Sequence, residues 1–199
     1  MTGTVGADDG KAVRVLVVGE STAAGCGAAT HDEAFAGAFA RALADRGGET
    51  VHWQVRGHHG ATIRRVRHRM LDDEAFDVAV LLIGVNDVLN RTRPVDWGLD
   101  LAAVLDHLTV RVQLVVVAGI PPFAQFPSLP GALGRYLGSR GQALDEIAEA
   151  ECATHSNVVW ISSTGLLTSN VEIFARDGFH PSPVGYKQWA RAVAERIDR

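Results

Sequence analysis

Short runs of aliphatic and β-branched residues alternate along this chain with longer segments in which apolar side chains recur every three or four positions. Residues 13–18, 50–55, 78–83, 113–118 and 157–161 read as strands. Several of them read as nearly continuous apolar runs, the pattern of strands covered on both faces. Between them the helical period predicts helices over about 32–45, 64–71, 96–108, 133–153 and 183–197. In the first of these, Phe35, Phe39 and Leu43 stand four apart on one apolar stripe, and Gly47-Gly48 supplies a stop. This alternation predicts an α/β fold around a parallel sheet. With no internal repeat or linker, the expectation is one domain over 13–199 behind a flexible N-terminal segment, 1–12.

Residues 119–131 interrupt the periodicity. Four prolines, Pro121, Pro122, Pro127 and Pro130, forbid a regular helix or central strand there. Such a loop after a strand end either packs on the body or walls a ligand pocket. In the second case Phe123, Phe126 and Leu129 are the candidate apolar lining.

Composition narrows the function classes. A chain of 199 residues with 47% hydrophobic and 21% charged residues buries an ordinary core without disulfides or metals. The formal net charge of −4 points away from nucleic acid and anionic membranes. The basic run Arg64, Arg65, Arg67, His68, Arg69 lies in a predicted helix and reads as a solvated face. Cys26 and Cys152 read as ordinary thiols. The start of the chain lacks the basic and apolar regions of a secretion signal, and the run 13–18 is too short to span a bilayer. A cytoplasmic protein without stable membrane insertion is therefore expected.

Three segments carry candidate chemistry. After the first strand comes Gly19-Glu-Ser-Thr-Ala-Ala-Gly-Cys-Gly27, which puts Ser21 at a C-terminal strand end, where ligands gather in open α/β sheets. Gly25 and Gly27 allow the tight turns this loop needs. A phosphate-cradling loop is the alternative, although the glycines match neither G-x-G-x-x-G nor G-x-x-x-x-G-K-[ST]. After the third strand, Gly84-Val-Asn-Asp87 places Asn86 either as a cap or as an amide donor for a developing oxyanion. Near the C-terminus, Asp177-Gly-Phe-His180 sets a carboxylate three residues before an imidazole. Within one turn it can fix the ring's tautomer. Gly60, in the loop after the second strand, is either a plain turn glycine or a further backbone donor. His58 and His59 are decoys for the histidine role.

Taken together, Gly-Glu-Ser21-Thr, Gly60-Ala-Thr, Gly-Val-Asn86-Asp and Asp177-Gly-Phe-His180-Pro-Ser resemble, in order, the sequence blocks of the SGNH hydrolases, also called GDSL lipases or esterases. The resemblance covers about residues 13–197. It implies a three-layer α/β/α, flavodoxin-like fold with a five-stranded parallel sheet in the order 2-1-3-4-5. It also implies Ser21 as nucleophile, His180 as base, Asp177 as its orienting acid, and an oxyanion hole from the Ser21 and Gly60 N–H groups and the Asn86 side chain. No metal or organic cofactor is implied, and the partner is a small-molecule ester. A carbohydrate deacetylase or a thioesterase lies within the same family. A non-catalytic anion- or nucleotide-binding module is the reading from another class. The family usually carries Asp before the serine and often Leu after it, where this chain has Glu20 and Thr22. The longer acid either serves with a shifted loop or leaves the serine less well placed. No Gly-x-Ser-x-Gly elbow is present, which separates the chain from ordinary α/β-hydrolases.

Overall fold

The five predicted strands pair into one sheet, and a sixth joins its edge. The computed structural model describes residues 1–6, 12–165 and 171–197. Its strands are β1 (Thr2–Val5), β2 (Ala12–Gly19), β3 (Thr50–Gly57), β4 (Phe76–Leu82), β5 (Val112–Ala118) and β6 (Val158–Ile161), in spatial order β1-β3-β2-β4-β5-β6. The last five are parallel and keep the expected 2-1-3-4-5 order.

β1 corrects the sequence expectation. Thr2–Val5 lie in the segment expected to be flexible, yet they pair antiparallel with β3, from Thr2 opposite Gln54 to Val5 opposite Val51. Gly3 makes room for the Trp53 indole: a Cβ there would sit 2.2 Å from it. The sheet is therefore mixed and six-stranded.

The strand pleat sorts residues into two cores. Val13, Val15 and Val17 of β2 and Val78, Val80 and Leu82 of β4 join one cluster. Leu16 and Val18 with Ala79 and Leu81 join the other. Alternate side chains point to opposite faces, so both faces are apolar and both need helices. Helices α1 (Phe35–Gly47) and α6 (Pro183–Ala194) cover the first face. On the second lie α2 (Ile63–Arg69), α4 (Pro94–Thr109) and α5 (Gly131–Cys152). A further short helix, α3 (Val85–Leu89), follows β4 directly.

The apolar stripe of α1 is buried as expected. Phe35 and Phe39 stack at 5.6 Å between ring centroids, and Trp189 of α6 meets Phe35 edge-on at 5.0 Å. Losing one such ring to alanine costs about 3–5 kcal/mol. The helix starts at Phe35 rather than near Asp32 because the preceding chain crosses over it at Gly37, where a Cβ would lie 2.3 Å from the Asp32 carbonyl oxygen. Gly48 ends it in the left-handed region at φ 67°, its N–H donating to Ala44 O at 2.8 Å. In α2 only Ile63 and Val66 are buried; the basic residues face outward, with Arg67 paired to Asp100 of α4 at 2.8 Å. Cys26 and Cys152 are free thiols. Among the described residues no helix is long and apolar enough to cross a membrane.

Candidate active site

Ser21 sits where β2 stops. Gly19 ends the strand at φ 148°, and a Cβ there would lie 1.9 Å from the Leu82 carbonyl oxygen, so only glycine permits this approach. The chain then coils back: Ala24 N–H donates to Glu20 O and Cys26 N–H to Ser21 O, each at 2.9 Å. Gly27, at φ 97°, presses against the C-terminal loop, where a Cβ would sit 2.2 Å from Pro181 O. That close approach sets Ser21 beside His180.

The C-terminal loop is organised by Asp177. Its Oδ1 accepts the backbone N–H groups of Phe179 at 2.9 Å and His180 at 3.0 Å, and its Oδ2 lies 2.6 Å from His180 Nδ1. Partial burial pushes the Asp177 carboxyl upward, but the bonds from the His180 ring and these two N–H groups outweigh it and hold it below its ordinary value. On the other side of the ring, His180 Nε2 lies 3.0 Å from Ser21 Oγ. With Nδ1–H donated to the carboxylate, Nε2 accepts the serine hydroxyl. Ser182 then caps α6, its side chain accepting from Gly185 N–H at 3.2 Å, and Pro183 opens the helix.

Asn86 lies on α3, behind Gly84 at φ 122°. Its backbone N–H and its Nδ2 both donate to Glu20 Oε2, at 2.9 and 2.7 Å, while Val85 N–H donates to Oε1 at 3.2 Å. Glu20 is buried, and burial pushes its carboxyl up to about 8 against the lowering effect of those N–H donors. Asp87, also buried, accepts Ile63 N–H at 2.9 Å and Thr92 Oγ1–H at 3.0 Å, and burial raises it to about 6. It thereby ties α3 to the start of α2, just beyond Gly60. The Gly60 loop is itself pinned to the end of β2 by His58 N–H donating to Gly19 O at 3.1 Å, and Gly60 adopts φ 75°. The N–H groups of Ser21 and Gly60 have no backbone acceptor among the described residues.

A narrow apolar pocket of about 50 Å³ opens beside Ser21 and His180, walled by Leu82, Ala118, Pro121, Phe126, Phe179 and Trp189, among others. Of the three pocket candidates from the Pro-rich loop, only Phe126 reaches it. Phe123 is 1% exposed and faces α5, where a Cβ on Gly141 would stand 3.4 Å from its ring. Leu129 packs on the outer part of the second core and does not line the pocket. The prolines fold this loop back onto α5 and turn those two side chains away. Sequence reading also missed Phe179, although it sits inside the Asp-Gly-Phe-His block, and Trp189, which reads only as a core residue of α6. It missed the neighbourhood of His59 as well. The His59 ring stands 6.0 Å from that of His180, and its Nδ1 lies 3.6 Å from Cys26 Sγ. These three residues are the metal-type ligand group among the described residues.

A six-stranded α/β/α sandwich with a serine, an imidazole and a carboxylate in line at the sheet rim defines a protein of the SGNH hydrolase fold. The chain belongs to the GDSL-like lipase/acylhydrolase family, whose model matches residues 17–188. It is 28% identical over 187 residues to the GDSL-like esterase Rv1075c of Mycobacterium tuberculosis, an alignment covering 87% of this chain and 58% of that protein. The chain thus spans little more than half the length of this curated relative. Among solved structures it is similar to LAE5, an alpha/beta hydrolase enzyme from the metagenome of Lake Arreo, with a TM-score of 0.72 at 15% identity, covering 94% of this chain and 97% of that one. It is also similar to a Clostridium thermocellum family 3 carbohydrate esterase, with a TM-score of 0.71 at 20% identity and coverage of 93% and 94%.

Proposed function

We propose that this protein is a serine hydrolase that cleaves small carboxylic esters through an acyl-enzyme on Ser21. The observation that carries the reading is the unbroken chain from Ser21 Oγ to His180 Nε2 at 3.0 Å and from His180 Nδ1 to Asp177 Oδ2 at 2.6 Å. An isolated serine hydroxyl is a weak nucleophile; a neutral imidazole in hydrogen-bond contact takes its proton as the oxygen attacks the ester carbonyl. Asp177 keeps the proton on Nδ1, so that Nε2 is the basic nitrogen, and stabilises the imidazolium that forms. The negative charge on the former carbonyl oxygen is received by the Ser21 and Gly60 N–H groups and by the Nδ2 hydrogen of Asn86 that Glu20 does not use. His180 then protonates the departing alcohol, and water repeats the sequence on the acyl-enzyme.

The pocket argues for a short acyl group. A pocket this narrow and this apolar suits a short acyl chain such as acetyl to butyryl. The esterase and carbohydrate-esterase activities in the relatives' names agree with ester cleavage. A nucleotide-binding module would leave the Ser21–His180–Asp177 alignment without a purpose. The test is p-nitrophenyl acetate hydrolysis by the full chain and by Ser21→Ala. The wild type should turn over and the folded variant should not, whereas equal rates would remove the proposal.

A further inference from the structure

Cys26 and His59 play no part in the acyl-transfer scheme, yet both border it. Cys26 comes from the loop after β2, half-buried between Gly25 and Gly27, both at positive φ. His59 comes from the loop after β3, which His58 N–H pins to Gly19 O. One potential ligand atom from each of Cys26, His59 and His180 lies within 4.8 Å of the other two, and Cys26 Sγ to His59 Nδ1 measures 3.6 Å. On a tetrahedral Zn²⁺, with Zn–S about 2.3 Å and Zn–N about 2.0–2.1 Å, a sulfur and a nitrogen ligand stand about 3.5 Å apart. The Cys26–His59 pair already has that span. The remaining separations must close by at most about 1.5 Å, to about 3.5 Å for sulfur to nitrogen and about 3.3 Å for nitrogen to nitrogen, within reach of small side-chain rotations of Cys26 and the exposed His59.

We infer that Cys26, His59 and His180 form a site for a thiophilic divalent cation, with Zn²⁺ as its representative, and that occupancy shuts the hydrolase off. The donor set is one thiol and two imidazoles, which favours Zn²⁺ over the oxygen-seeking Mg²⁺ and Ca²⁺. His180 donates Nδ1–H to Asp177 at 2.6 Å, the carboxylate–histidine pairing that orients metal-bound imidazoles and raises their basicity. That leaves Nε2 for the cation. Binding replaces the Cys26 S–H bond with S–Zn and releases the proton to solvent. The Nε2 lone pair that coordinates the cation is the one that must accept the Ser21 proton, so cation and catalysis exclude each other. Inhibition rests on the role proposed for His180; binding does not.

Cobalt separates the two. Co²⁺ titrated into the reduced chain should produce an ultraviolet thiolate-to-cobalt charge-transfer band in wild type and in Ser21→Ala. Cys26→Ser should show no band. His59→Ala, altered at an exposed side chain, should bind Co²⁺ at least about tenfold more weakly, because the loss of an outer-shell partner alone costs about 10- to 100-fold. In parallel, Zn²⁺ should abolish wild-type ester cleavage reversibly, with activity restored by EDTA. Cys26→Ser should keep its basal rate and lose at least about tenfold in zinc sensitivity. The absence of a cobalt band in wild type, or a band that persists in Cys26→Ser, overturns the site. A wild type that shows the band but cleaves no ester contradicts the proposed function and leaves the cation site standing. Ester cleavage with neither a band nor zinc inhibition does the reverse.

Discussion

Asn86 gives two donors to a single oxygen: its backbone N–H and its Nδ2 reach Glu20 Oε2 at 2.9 and 2.7 Å. One Nδ2 hydrogen is thereby engaged and the amide plane is fixed, so the direction of the second hydrogen is set by Glu20. The longer acid at this position reaches across to α3 from the residue before the serine. Glu20 is thus a positioning residue for the proposed oxyanion donor.

Replacing Glu20 with Gln turns one acceptor into a donor facing Val85 N–H and Asn86. Turnover should fall about 10- to 100-fold with KM little changed, because the misplaced contact matters only in the transition state. The double variant Glu20→Gln/Asn86→Ala should be no slower than Asn86→Ala alone. Additive losses in that cycle would show that Glu20 acts elsewhere.

Asn86→Ala removes the side-chain donor itself. Steady-state kinetics should show kcat lower by about 100- to 1,000-fold, the usual consequence of losing one oxyanion donor. A change of less than about threefold would take Asn86 out of the oxyanion hole.

The buried acids give stability a pH slope. Burial raises Glu20 from 4.5 to about 8 and Asp87 from 3.8 to about 6, so between those limits the folded chain holds more protons than the unfolded one. Their contribution is fully present below about pH 4 and is lost as pH rises through 6 and then 8, a decline on the order of a few kcal/mol. Urea denaturation at graded pH should show stability falling from pH 5 to 8. Glu20→Gln should flatten the upper part of that slope, between 6 and 8.

Phe126 closes the pocket, stacking on Phe179 at 4.9 Å and meeting Phe123 edge-on at 5.3 Å. Phe126→Ala should shift the preference among p-nitrophenyl esters toward longer acyl chains while lowering stability by about 3–5 kcal/mol. An unchanged chain-length profile would place the acyl group elsewhere.

The parallel strands were legible because a strand covered on both faces leaves a nearly unbroken run of apolar residues, as in Val15–Val18 of β2 and Val78–Leu82 of β4. β1 was not, because Thr2–Val5 is short and takes its conformation from pairing with β3 and from the Trp53 ring lying over Gly3. The five-residue α3 is likewise too short to show a period. Ser21, Asn86, Asp177 and His180 stood out because each lies at a strand end or in a Gly/Pro-bounded loop, and the structure brings Ser21, His180 and Asp177 into direct contact. What one dimension conceals is convergence. The reach of Glu20 to Asn86 spans 66 positions and that of Cys26 to His59 spans 33, and no local pattern announces either. The pocket wall was misjudged for a related reason: four prolines mark a loop but do not say which of its side chains fold inward, and Phe123 turns toward α5.

The central claim is that the Ser21 oxygen is a nucleophile made reactive by His180. Labelling the full chain with a fluorophosphonate and mapping the adduct by peptide mass spectrometry tests it directly. One adduct is expected, on the peptide carrying Ser21, and it should be lost in His180→Ala while that variant keeps its fold. No adduct on the folded wild-type protein, or an adduct on another residue, would contradict the account.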